Sequence, residues 1–218
     1  MKKIDKIRKD TLNLFEENRF QKGEIETFLS PSKEFRLEII NFYSTEKEIE
    51  ITKVEIYSHK EKIFDFLINE SNIYHGWVEK NGVEYLICAE DIFGCQTIVD
   101  LTNRKMNGFS PEEEGFIWTA FHLSPNGKTL ATIGCYWACQ YVIKLFDFSN
   151  PLELPLKEIK EIELLDNDEI IFSWIDDETI QMKGIKSEKE IEYCENNSFR
   201  MKTISEKKIE RQIKINGS

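Results

Sequence analysis

Ser124-Pro125-Asn126-Gly127-Lys128 is followed directly by Thr129-Leu130-Ala131-Thr132-Ile133 and, after a second break, by the run from Tyr141 to Phe148. The opening five residues make a tight turn, because Pro presets φ at one turn position and Asn-Gly tolerates the positive φ that a hairpin demands. The apolar runs around it, including the one holding Trp118, have the composition of strands. The unit closes on Leu145-Phe146-Asp147-Phe148, and the same pattern of two large apolar residues, Asp and another apolar residue recurs at Ile63-Phe64-Asp65-Phe66 and Ile98-Val99-Asp100-Leu101. A short pattern returning at a period of a few tens of residues marks one supersecondary unit copied along the chain.

Working outward, the second copy runs from Trp77-Val78-Glu79 through Asn81-Gly82 and Glu84-Tyr85-Leu86-Ile87-Cys88 to the strand ending at Asp100. A first copy starts at Phe28, turns at Ser30-Pro31-Ser32, continues through Phe35 to Ile39 and Val54 to Tyr57, and reaches Asp65. A fourth begins with Ile171-Phe172-Ser173-Trp174, turns at Asp176-Asp177, continues as Thr179 to Met182, and lacks the aspartate motif. The repeated aspartates are expected at strand ends, where a carboxylate accepts backbone N–H bonds and fixes the chain reversal.

The stretch from Phe121 to Ala131, with Phe146-Asp147-Phe148, resembles the WD40-like β-propeller repeats, in which a strand, a Ser-Pro-Asp-Gly-Lys turn, another strand and an apolar pair plus Asp follow one another. It departs from them in lacking the opening Gly-His and in carrying Phe or Val where Trp precedes Asp. The segments Glu84 to Asp91 and Gly134 to Ala138 are also similar to a group of uncharacterised bacterial proteins. The resemblance covers residues 28 to 193. It implies an all-β fold, a small propeller-like array of about four antiparallel β-meander blades with a short N-terminal helix. Residues 1–27 are then helix and linker, and 28–215 the single propeller-like domain. Four blades is the lower limit for ring closure, so an open meander that dimerises through unpaired edges is the alternative.

Residues 3 to 18 place Ile4, Ile7, Leu12, Leu14 and Phe15 among charges at an imperfect helical period, and Gly23 is expected to stop this helix, whose role would be to cover a strand edge or plug the ring. At the other end, Phe199 to Ile204 and Lys208 to Ile215 are expected to form a hairpin around Ser205-Glu206, with a helix as the competing reading of the second run.

The chain carries a formal charge of −11 over 218 residues. Residues 1–10 hold +3 and residues 199–218 hold +4, so the intervening segment holds −18. This balance argues against nucleic acid as the main partner, since Lys and Arg supply most of that affinity, and it suits a basic protein partner, with solubility alone as the competing reading. No apolar run is long enough to span a bilayer. Five cysteines at uneven spacing do not form a disulfide framework, and a reducing cytoplasm is the expected setting.

Gly134-Cys135-Tyr136-Trp137-Ala138-Cys139-Gln140-Tyr141 stands where a small polar hairpin turn is usual. Tyr136 and Trp137 are not needed to make a turn, and exposed aromatics concentrate at binding hot spots, so they are the first contact candidates, with packing over a neighbouring blade as the competing reading. Glu90, Asp91 and Phe93, at the corresponding tip of the second copy, complete the set. If Tyr136 to Ala138 form the loop, Cys135 and Cys139 face each other and are positioned to pair or to hold a metal, but Cys88, Cys95, Cys194 and the three histidines show no paired ligand spacing, so no metal and no cofactor is expected. Gly127-Lys128-Thr129 is a turn, and no common catalytic motif is present. The expectation is a non-enzymatic protein-binding module, in its specific form an inhibitor or immunity-type partner of a basic protein. The alternatives are a small-propeller hydrolase or lyase using Glu90, Asp91, His122 or Cys135 in a central pocket, and a structural subunit pairing through open sheet edges, as in a homodimer.

Overall fold

Four antiparallel sheets follow one helix in the computed structural model, which describes residues 2–71, 73–164, 169–193 and 199–215. After α1 (Lys3–Glu17) comes a first sheet of β1 (Gln21–Leu29), β2 (Phe35–Ser44), β3 (Ile49–Ser58) and β4 (Glu61–Ile68). The second holds β5 (Tyr74–Lys80), β6 (Val83–Ala89), β7 (Gln96–Asp100) and β8 (Lys105–Phe109). The third holds β9 (Ile117–Leu123), β10 (Thr129–Cys135), β11 (Val142–Asp147) and β12 (Glu158–Glu163). The fourth has three strands, β13 (Glu169–Trp174), β14 (Thr179–Tyr193) and β15 (Phe199–Lys214). Each sheet is a meander in chain order, so its turns fall alternately at two ends, called here the turn end (β1–β2, β5–β6, β9–β10, β13–β14) and the loop end.

One backbone hydrogen bond repeats in all four sheets at the turn end. The N–H of His59, Leu101, Phe148 and Ile215 donates to the carbonyl of Glu34, Glu84, Lys128 and Glu178 respectively. The residue before each donor is therefore the equivalent strand-end position: Ser58, Asp100, Asp147 and Lys214. Asp100 and Asp147 behave as expected there, accepting the N–H of Asn103 at 2.8 Å and of Ser149 at 2.9 Å. Asp65 does not. It lies inside β4, opposite Glu55 on β3, with Lys62 at 3.1 Å. The two-residue connection His59-Lys60 starts β4 so soon that its apolar alternation imitates the motif one strand late.

The turn chemistry is shared by the first and third copies. Ser124 accepts Gly127 N–H on its carbonyl and Thr129 N–H on Oγ; Ser30 does the same for Lys33 and Phe35. Gly127 has φ +68° and Lys33 has φ +65°, so a lysine occupies the left-handed position that Gly takes without steric cost. These turns also latch neighbouring sheets together. Glu84 of the second sheet accepts bonds from Ser30 Oγ, Ser32 Oγ and Ser32 N–H, Lys80 Nζ reaches the carbonyls of Phe148 and Ser149, and Asn126 N–H reaches Asp177.

The cores lie between successive sheets. Leu37, Ile39, Val54 and Ile56 meet Leu86, Cys88 and Val99; Val78, Ile87 and Ile98 meet Trp118, Leu130 and Phe146; Ala131, Ile143 and Leu145 meet Phe172, Ile180 and Met182. Strand β6 feeds two cores at once, which is why Tyr85 to Ala89 is buried without a break. No buried cluster among the described residues joins the fourth sheet to the first, so the array is open. Its terminal faces are polar, as the ends of a stacked array must be to meet water. On the first sheet, Glu55 accepts bonds from Tyr57 (2.7 Å), Lys53 (2.8 Å) and Lys62 (3.2 Å). Burial pushes its carboxyl up, and these bonds outweigh that and hold it down at about 2. The fourth sheet's outer face carries Gln181, Lys183 and Glu210, with Ile171 exposed among them.

Three expectations at the ends of the chain are corrected. The helix stops at Glu17, before Gly23, where Asn18 turns extended and its side-chain N–H caps the Leu14 carbonyl at 2.7 Å. The linker expected up to residue 27 belongs largely to β1, with Gly23 at a register shift. The hairpin around Ser205-Glu206 is absent, since β15 runs through both residues as one strand against β14, and its second half is not helical.

Candidate binding face

The loop end brings together the two tips singled out from sequence. At the β6–β7 loop, Asp91 Oδ1 accepts the N–H of Phe93 (2.9 Å) and Cys95 (2.8 Å), so Asp91 serves as an internal brace of the loop. Gly94 has φ +88°, and a Cβ there would stand 2.7 Å from the backbone of Gly115, whose N–H donates to the Phe93 carbonyl at 2.9 Å. Locked on both sides, the loop presents the Phe93 ring outward, 58 % exposed.

Glu90 does not stand on the surface. Its side chain is 3 % exposed and accepts Arg8 Nη2 at 2.5 Å as well as the Thr97 hydroxyl. Arg8 in turn lies over the Phe66 ring, 4.2 Å from its centroid. This ion pair explains the helix. Arg8 ties α1 to the first and second sheets, while Lys2 and Lys3 bond to Asn107 and to the Pro111 carbonyl, and Phe15 packs on Phe42. The helix covers the outer strands β4 and β8, the edge-covering role expected of it. A lone Arg eighty positions before an acidic tip gives no local signal of this contact.

The β10–β11 loop closes with Cys139 N–H on the Tyr136 carbonyl at 2.9 Å and Ala138 at φ +59°. Both of its aromatics are exposed, Tyr136 at 37 %. Tyr136 folds back onto Phe116 (5.6 Å between centroids), and its hydroxyl accepts a bond from Lys144, which is buried and also paired with Glu158. Trp137 points outward, 60 % exposed. Two residues join it that the sequence did not single out. Tyr141 is exposed and precedes β11, and its hydroxyl pKa is pushed up by burial, then by Cys135 and Tyr74. Tyr74, at the start of β5, is exposed too and reaches this neighbourhood because β5 and β9 lie side by side. The two tips are continuous through Gly115, bonded to Phe93, and Phe116, in edge-on contact with Tyr136.

The residues of the hydrolase reading do not converge. Glu90 and Asp91 line a hollow of about 270 Å³ with Glu70 and Cys95, but His122 packs on Phe172 between the third and fourth sheets, and Cys135 lies beside Tyr141. Burial pushes the His122 pKa down and the Cys95 thiol up, so neither is poised as a charged group near neutrality. Cys135 and Cys139 are free thiols, and Cys194 lies outside the described residues. Among the described residues no three His, Cys, Asp or Glu side chains are grouped to hold a metal ion, and no helix is long and apolar enough to cross a membrane.

No family model matches the chain. A sequence relative is a protein of Acanthamoeba polyphaga mimivirus described as uncharacterized, 26 % identical over 127 residues, which cover 57 % of this chain and 51 % of the relative. The chain therefore spans about half the length of the curated relative it matches, and that relative is viral, which leaves the expected similarity to a bacterial group without support. Similar solved structures include Kuenenia stuttgartiensis hydrazine synthase, with TM-score 0.44 and 12 % identity over 80 % of this chain and 60 % of that one. They also include the β-propeller domain of Swd1 from Myceliophteria thermophila, with TM-score 0.38 and 10 % identity over 81 % of this chain and 72 % of that one.

Proposed function

We propose that the protein is a non-enzymatic protein-binding module, a small propeller-like array whose recognition surface is the loop end. The observation that carries this reading is Trp137, 60 % exposed on a closed loop and flanked by Tyr141, Tyr74 and, through Gly115 and Phe116, Phe93. Large aromatic rings held on a rigid scaffold offer contact area at little entropic cost, which is why they dominate binding hot spots. Glu90 braces the surface from beneath and Asp91 from within its loop, while Tyr136, 37 % exposed beside Trp137, is a further contact residue.

The partner class follows from charge. A segment of −18 between residues 11 and 198 attracts a basic protein and steers its approach, which suits an inhibitor or immunity-type role. Free thiols at four cysteines fit a reducing compartment, so the cytoplasm is the proposed setting. The test is retention of proteins from the source cell on immobilised chain at low salt, compared with a triple variant, Phe93→Ala, Trp137→Ala and Tyr141→Ala. A basic protein, identified by mass spectrometry, that is retained by the parent and lost from the variant supports the reading. Equal retention by both, or none by either, sinks it.

A further inference from the structure

Phe93 lines the hollow of about 270 Å³ that lies where α1, the end of β4 and the β6–β7 loop meet. Its walls are apolar, Ile4 and Ile7 from α1 and Leu67 and Ile68 from β4, and all of these but Ile7 are buried. The volume falls below the roughly 300–1,000 Å³ usual for a small-molecule site and suits one long side chain.

The polar part of the lining is acidic. Glu70, Glu90 and Asp91 contribute carboxyl groups, and no lysine or arginine lines the hollow among the described residues. Glu90 is matched by Arg8 at 2.5 Å, and Asp91 Oδ1 holds the N–H groups of Phe93 and Cys95. Glu70 differs from both. It is half-buried, its carbonyl accepts the Thr52 hydroxyl at 2.7 Å, and no hydrogen bond or ion pair reaches its carboxylate among the described residues. Burial, then the charges of Asp91 and Glu50, push its carboxyl pKa up, the response of an acid with like charges around it and no cation beside it. Asn69 and Glu70 also line a more open trough of about 540 Å³ with Glu48 and Glu50, again with no lysine or arginine among the described residues. Uncompensated negative charge thus continues from the hollow along the loop end.

A carboxylate partly withdrawn from water gains more from a cation than an exposed one does, because Coulomb attraction strengthens as the effective dielectric falls. A metal ion is a poor occupant, since among the described residues no three His, Cys, Asp or Glu side chains are grouped to hold one. A lysine or arginine side chain suits both parts of the hollow, its methylene stem lying on Ile4, Ile7 and Leu67 and its charged head meeting Glu70 and Asp91. The Phe93 ring, on the same lining, is a further partner for a cation.

We propose that this hollow is the pocket in which a lysine or arginine side chain of the basic partner anchors beside Phe93. The proposal rests on the loop end as the recognition surface and adds the side chain that this surface selects.

The full chain, methyl-labelled at Ile and Leu, is titrated with Nα-acetyl-lysine methylamide and Nα-acetyl-arginine methylamide at constant ionic strength and followed by methyl NMR. Saturable shifts, largest at Ile4, Ile7, Leu67 and Ile68, are expected by about 50 mM of at least one amide. Glu70→Gln keeps the shape of the side chain and should weaken that binding at least about fivefold. Nα-acetyl-norleucine methylamide, which has the stem without the charge, should saturate none of these signals. Equal shifts from the norleucine amide would make the hollow a plain apolar subsite, and calcium chloride that saturates the same signals and displaces the amides would make it a metal site. Either result overturns the proposal, as does unchanged binding by Glu70→Gln or no saturation by either basic amide. A Trp137→Ala and Tyr141→Ala chain should bind the amides as the parent does. Amide binding at the hollow, with partner retention indifferent to those aromatics, supports the pocket and refutes the aromatic surface. Partner retention that needs the aromatics but is unchanged in Glu70→Gln refutes the pocket alone.

Discussion

The turn end and the loop end of the array are built from the same fifteen described strands and do opposite things. At the turn end, every sheet repeats one backbone hydrogen bond, and Glu84, Lys80 and Asp177 latch each sheet to its neighbour. At the loop end, Phe93, Trp137, Tyr141 and Tyr74 are left in water. A repeated fold can vary one end freely once the other end fixes the spacing of its sheets, because strands transmit that spacing with little give. Sheet-to-sheet latches therefore concentrate at one end and exposed aromatic rings at the other.

The largest departure from this division sits beneath the loop end, where Arg8 and Glu90 fasten the helix. Arg8→Ala leaves a buried carboxylate unpaired and should cost about 3–5 kcal/mol in urea unfolding, with Glu90→Gln in the same background recovering part of the loss. If the cost were negligible, the loop end would not depend on α1. Glu55, on the terminal face of the first sheet, belongs to neither end. Its folded pKa of about 2 lies below the ordinary 4.5, so its contribution is complete above pH 4.5 and is lost as pH falls from 4.5 towards 2. The parent should lose about 3 kcal/mol over that window from this group, and Glu55→Gln should flatten that limb of the stability curve.

Glu84→Ala removes three bonds between the first and second sheets and should cost about 2 kcal/mol, measured by the same unfolding curves. Gly127→Ala introduces a Cβ at φ +68° and 2.9 Å from Cγ of Lys80, whose ammonium is held by two carbonyls, so a loss of more than about 1 kcal/mol is expected in thermal or urea unfolding. Trp137→Ala should change stability by less than about 0.5 kcal/mol while lowering retention of a partner at least about tenfold. A large stability loss there would show that the loop end is packed like the turn end and would remove the distinction.

Much of the turn end was legible. Ser124-Pro125-Asn126-Gly127-Lys128 makes its turn from its own residues, and Asp100 and Asp147 brace reversals two or three residues away. Asp65 misled because an apolar-Asp-apolar pattern fits any half-buried strand, and only pairing distinguishes a third strand from a fourth. At the loop end, the exposure of Phe93 and Trp137 agreed with the expectation, since their loops need no large ring. Glu90 differed because its partner, Arg8, comes from another element, whereas Tyr136 is exposed and also takes a bond from Lys144 and packs on Phe116. Tyr74 carried no signal, as its place on this face follows from packing of β5 beside β9. The continuity of β15 through Ser205-Glu206 was equally hidden, for β14 alone supplies its pairing.

By itself, then, the amino-acid sequence determined the repeated strand-and-turn unit, its turns, the all-β class and the charge that sets acidic middle against basic ends, because each depends on residues within a few positions or on simple sums. The tertiary structure decided that no buried cluster among the described residues joins the fourth sheet to the first, that α1 is fastened through a buried ion pair, and which aromatics face water. Those outcomes rest on which distant surfaces meet, and burial and pairing between distant segments have no local signature.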